Sequence, residues 1–119
     1  MKEQIVILKV SDYTNLNIAV SSDEGDKINM YIRKMLDRYE KVTIDFSDII
    51  IMTSAFLNAA IGQLYKDYTS EELASRIKLL NVSDDDLPLF KKVTNRAKDY
   101  FKDKKKFADT TNEILNGKL

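Results

Sequence analysis

Four side chains lie close enough in sequence to share chemistry: Asp45, Asp48, Thr53 and Ser54. Two carboxylates could do acid–base work or hold Mg²⁺. A hydroxyl where a helix begins could accept a phosphoryl group, because free N–H groups and the positive end of the helix dipole would meet the phosphate there. Each residue also has a plainer role. Ser47 and Asp48 suit a turn, since both types hydrogen-bond to nearby backbone, and Asp45 could accept loop N–H groups. Thr53 or Ser54 suits an ordinary N-cap, worth about 1 kcal/mol. The chain has no histidine and no cysteine. The commonest general base, the commonest metal ligand and thiolate chemistry are therefore missing. No Gly-rich phosphate loop accompanies the carboxylates. The expectation is a protein without catalytic residues, bound metal or cofactor, in which these four positions are phosphoacceptor or partner-contact candidates.

Two further clusters read as structural. Asp84, Asp85 and Asp86 are contiguous, whereas a calcium loop spreads its ligands over twelve positions around a glycine turn. Helix capping accounts for them better. Lys102 and Lys104 to Lys106 are interrupted by Asp103 in a chain of zero formal net charge. A solvated helix face or tail explains them without nucleic acid. The tyrosines fall mostly on apolar faces and suit a core more than base stacking.

The elements that must position the candidates alternate between two periods. Ile5 to Val10 is a β-branched run that reads as a strand. Leu16, Ile18 and Val20 alternate and admit a second short one. Ser21 with Glu24 fits a capping box. Ile28, Tyr31, Ile32, Met35, Leu36 and Tyr39 then share one face of a helix of about four turns. Lys41 to Phe46 reads as a strand, and Ser47 and Asp48 as a turn. Ile49 to Met52 reads as a short strand buried on both faces. From Thr53 the period is helical through Phe56, Leu57, Ala60, Ile61, Leu64, Tyr65 and Tyr68, and Gly62 within it marks a close helix–helix or helix–sheet contact. Thr69 and Ser70 open a short helix. Arg76 to Val82 is a strand, and Ser83 to Asp86 with Pro88 start a helix whose face is Leu89, Phe90, Val93, Ala97 and Tyr100.

A chain of 119 residues is one domain by size, and its composition, 44% hydrophobic and 32% charged, suits a globular core. Zero net charge gives no global attraction for nucleic acid or an anionic membrane. No apolar run approaches the roughly 20 residues that span a bilayer, and the N-terminus is no signal peptide, so a cytoplasmic protein is expected. The fold class is α/β (α+β), with about four strands in one mixed sheet and helices mainly on one face. Residues 1–101 form the domain, and residues 102–119 a C-terminal helical extension or tail.

The stretch Ile44 to Leu64, IDFSDIIIMTSAFLNAAIGQL, resembles the core of STAS domains, the fold of bacterial anti-sigma-factor antagonists. It is more similar to a STAS-like family of unknown function whose members show a DF pair, a short strand and a hydroxyl-rich, Phe-Leu opening to a helix. Asp45 and Phe46, then Thr53 to Leu57, occupy those positions. Glu24, Gly25 and Asp26, and the RIKLLN run from Arg76 to Asn81, are also similar to that family, so the resemblance extends from about Ser21 to Val93. It implies a non-catalytic signalling module that binds a protein partner, such as a histidine-kinase-type ATPase or a regulator, through the start of the helix near Ser54. In antagonists a motif hydroxyl is phosphorylated by the partner kinase. Here Thr53 replaces the motif aspartate, Ala55 one hydroxyl and Phe56 the glycine. The phosphoacceptor position therefore falls on Ser54 or on Ala55. The alternative function is a structural or oligomerising domain that packs residues 107–119 on a neighbouring subunit; a small nucleotide-binding protein using Asp45, Asp48 and Ser54 ranks behind it.

Overall fold

The computed structural model describes residues 3–115, and the side chains of residues 4–102. Strand β1 (Glu3–Lys9) is followed by a 3-10 turn (Val10–Tyr13) and a two-residue strand β2 (Ile18–Ala19). Helix α1 (Ser22–Arg38) leads directly into β3 (Tyr39–Asp45). Then come β4 (Ile51–Met52), α2 (Ser54–Ala60), a 3-10 segment (Gly62–Lys66), α3 (Ser70–Arg76), β5 (Ile77–Leu80) and α4 (Leu87–Leu115). Alternation of strands and helices is as expected from the periodicities.

The sheet differs from the expected single, mixed, four-stranded one. Three strands pair in the order β1-β3-β5, and β2 and β4 pair separately; both sheets are parallel. The cause lies in two interruptions. After β1 the chain coils through the 3-10 turn and then through Leu16 and Asn17, both at positive φ. After β3 it turns through Asp48, also at positive φ, a conformation that short polar residues tolerate best. The two chains resume pairing beyond these turns as the β2–β4 ribbon, with Ile18 beside Ile51 and Ala19 beside Met52.

The inner rows of the larger sheet, Val6–Val42–Ile77 and Leu8–Ile44–Leu79, follow from its register. Helix α1 packs on this face and α2 packs on α1. Leu8, Ile28, Ile32, Leu36, Val42, Ile44, Phe56, Leu57 and Leu64 are all fully buried there. The helical stripe of α1 thus does what its spacing promised through Leu36, whereas Tyr39, expected on the same face, is the first residue of β3. Phe90, Val93 and Ala97 seat α4 on the same core, with the Phe90 ring edge-on to Phe46 at 5.0 Å. Tyr100, expected on that face, is 60% exposed. Helix α4 runs without interruption across position 102. The side chains of Lys104 to Lys106 and of the apolar residues expected to oligomerise lie outside the described ones.

Three local expectations need correction. The helix expected from Thr53 to Tyr68 breaks at Ile61, and its second half is 3-10. Buried Asn29 of α1 donates from Nδ2 to the Ala60 carbonyl at 3.1 Å, and Arg33 donates to the Gln63 carbonyl at 2.9 Å. Carbonyls captured in this way favour the break. The close helix contact belongs to Gly25, not Gly62. A β-carbon on Gly25 would stand 2.6 Å from the Phe56 carbonyl oxygen and 2.7 Å from the Ala59 β-carbon. At Gly62 its nearest neighbour would be 3.6 Å away. The Ser21–Glu24 box is half formed: Ser21 Oγ accepts the Glu24 N–H, while the Glu24 carboxylate accepts the Asn15 N–H instead. Thr69 and Glu72 form the complete box, at the start of α3.

Candidate functional site

The short apolar run ahead of Thr53 was expected to be buried on both faces. Only Met52 is; Ile50 is 74% and Ile51 51% exposed. Among the described residues β4 pairs with β2 alone, in a two-stranded ribbon, so one of its edges has no strand beside it. Leu16, at the entrance to β2, is 85% exposed, and Val20 at its exit is also open. Apolar side chains therefore stand in solvent around the strand that delivers the chain to α2.

Thr53 is the N-cap of α2. Its Oγ1 accepts the Phe56 N–H at 3.3 Å and donates to the Val20 carbonyl at 2.9 Å. Its own N–H donates to the Ala19 carbonyl at 3.1 Å. One residue thus caps the helix and ties it to the end of β2, its hydroxyl both donating and accepting. Ser54 is the first helical residue; its hydroxyl is exposed and has no hydrogen-bond partner among the described residues. The two candidate hydroxyls are therefore not equivalent. Ala55, the alternative motif position, is exposed beside Ser54 and has no oxygen to modify.

Asp45 ends β3. Its Oδ1 accepts from Asn81 Nδ2 at 3.0 Å and from the Ser47 N–H at 2.9 Å. These bonds, the Asn81 amide first, hold its carboxyl below the usual carboxylate range. It locks the turn after β3 to the residue that follows β5, and the Phe46 N–H strengthens that closure by donating to the Leu80 carbonyl at 2.9 Å. Asp48 pairs with Lys9 at 3.2 Å, and this bond raises the lysine pKa. The pair is exposed on both sides.

A cleft of about 260 Å³ lies beside this turn, lined by Phe46, Asp48, Met52, Asn81 and Asp86 among others. Neither Asp45 nor Ser54 lines it, so the three residues needed for the nucleotide reading do not share that space. Among the described residues no group of three or more acidic side chains converges as a metal site. Of Asp84 to Asp86, the Asp85 N–H donates to Ser83 Oγ, and the Asp86 carbonyl accepts the Phe90 N–H at the start of α4. The exposure of Leu16, Val20, Ile50 and Ile51 along this ribbon is the feature that sequence reasoning missed. A four-residue apolar run reads the same whether or not a neighbouring element covers it.

A larger open cleft of about 720 Å³ lies between the 3-10 segment and α4, lined by Tyr65, Tyr68, Lys98 and Lys102 among others. None of the four candidate residues lines it, and burial there pushes the Tyr65 phenol upward in pKa. Among the described residues no helix is long and apolar enough to cross a membrane.

A family model described as a STAS-like domain of unknown function (DUF4325) matches residues 24–87, more than half of the chain. The matched span runs from the first turn of α1 to the first residue of α4 and includes all four candidate residues. No curated protein and no solved structure gives a significant match.

Proposed function

The chain belongs to this STAS-like family, and on that premise we propose that it is a non-catalytic regulatory module that docks a protein partner through the N-terminal end of α2. The partner class is a histidine-kinase-type ATPase or a regulator expressed with it. One observation carries the reading: exposed Leu16, Ile50 and Ile51 surround the entry to α2, where the Ser54 hydroxyl stands free. Exposed apolar groups gathered at one place mark interaction surfaces more often than chance solvent contact. Thr53 makes the platform rigid, and Ser54 is the group on it open to modification. A phosphate on Ser54 would place about two negative charges among the apolar contacts and weaken docking.

The test is affinity capture of the tagged chain from its own cells with ATP present, followed by mass spectrometry. The expected result is a co-purifying histidine-kinase-type ATPase or regulator, lost by at least tenfold in Ile50→Asp and Leu16→Asp. Retention in both variants would place docking elsewhere. Binding by Ser54→Asp equal to that by Ser54→Ala and by the unmodified chain would end the switch reading while leaving the docking reading intact.

A further inference from the structure

The outer edge of β1 has a sequence that complements itself. Among the described residues β1 pairs with β3 alone, so one edge of the seven-residue strand Glu3–Lys9 carries unpaired N–H and C=O groups. The opposite edge of the sheet, β5, is four residues long. Val6 and Leu8 point to the core, and Ile5 and Ile7 lie on the open face, 60% and 61% exposed. Protected edges usually carry a proline, a bulge or a charge in mid-strand. β1 reads EQIVILK, with its charges only at the ends.

We propose that β1 pairs antiparallel with β1 of a second copy of this chain, on a two-fold axis at Val6, making a continuous six-stranded sheet. In that register residue numbers across the joint sum to a constant. Ile5 of one copy faces Ile7 of the other, twice over, so four isoleucines meet on the open face. Cross-strand pairs of β-branched residues stabilise an antiparallel joint. The same register sets the acidic position 3 of each copy opposite Lys9 of the other. Residues that face each other lie on the same face in both copies, because the paired positions share parity. The core faces and their helices therefore stay on one side of the joined sheet. A parallel in-register pairing would instead set glutamate on glutamate and lysine on lysine. A chain of zero net charge offers no long-range repulsion to its own copy. The Lys9 end of this edge reaches Asp48, but Ile5 and Ile7 are not among the residues proposed for docking, so variants at those two positions test this reading by itself.

Sedimentation equilibrium over a concentration series tests the proposal with two double variants. Ile5→Lys with Ile7→Lys sets lysine opposite lysine, and the association constant should fall at least tenfold. Ile5→Lys with Ile7→Glu sets opposite charges face to face in the antiparallel register only, and it should remain a dimer. Both positions are exposed, so circular dichroism should show unchanged folding in either variant. A wild-type chain that stays monomeric at the highest soluble concentration overturns the proposal. So does a double-lysine variant that dimerises as well as wild type, or a Lys–Glu variant that is monomeric.

Discussion

Replacing Gly25 with alanine tests whether the α1–α2 contact is set by backbone approach. The added β-carbon would meet the Phe56 carbonyl oxygen at 2.6 Å, the Ala59 β-carbon at 2.7 Å and the Ala60 nitrogen at 3.2 Å. Carbon atoms rest at about 3.5–4.0 Å, so α1 must retreat by roughly 1 Å. Neither near neighbour can swing aside, since one is main chain and the other a methyl group fixed to it. Overpacking of this kind costs about 1–3 kcal/mol, and a contact with main chain belongs at the upper end. Alanine returns up to about 1 kcal/mol in helix propensity. The net expectation is a loss of about 2 kcal/mol, or a fall in Tm on the order of 8 °C for a domain of this size. Urea denaturation should show a lower midpoint with an unchanged slope. Gly62→Ala is the control: its β-carbon would meet only ordinary contacts, the nearest at 3.6 Å. It should be neutral or stabilising by up to about 1 kcal/mol through the unfolded chain. A Gly25→Ala protein as stable as wild type, or a Gly62→Ala protein equally harmed, would refute the reasoning.

Two further expectations concern joints between elements at the two ends of β3. The Asp45 carboxyl has a lowered folded-state pKa, so the stability it adds is present above its unfolded value of about 3.9 and is lost as pH falls through the folded value. The stability advantage of wild type over Asp45→Asn should be constant near neutrality and shrink progressively below about pH 4; an advantage independent of pH would show that the charge is not what Asn81 and Ser47 recognise. Arg76 donates to the carbonyls of Leu36, Tyr39 and Glu40, joining the end of α3 to the last turn of α1 and the start of β3. Arg76→Ala should cost about 1.5–3 kcal/mol in chemical denaturation, as charge-assisted bonds to partly buried acceptors do, and Arg76→Lys should recover only part of it because an ammonium lacks the planar fork.

Local pattern and tertiary context divide this protein cleanly. The apolar stripe of α1, the caps at Ser21 and Thr69, the strand before Asp45 and the strand after Arg76 were written in residue spacing. Those signals act over a few residues, and neighbouring side chains on one helix or strand suffice to express them. The family resemblance was equally local, carried by Asp45, Phe46 and the Thr53 to Leu57 opening. Other features depend on partners 30 or more residues away. Gly25 rather than Gly62 became the tight contact because Phe56 and Ala59 stand beside it. The helix broke at Ile61, where Asn29 reaches its Ala60 carbonyl. Ile50 and Ile51 are exposed because the sheet divides into three strands and two. Thr53 rather than Ser54 took the cap, and its hydroxyl then found the Val20 carbonyl across the chain. Spacing alone can state that a hydroxyl belongs at the start of α2. Which hydroxyl is consumed and which stays free depends on where the end of β2 lies, and only long-range packing places it.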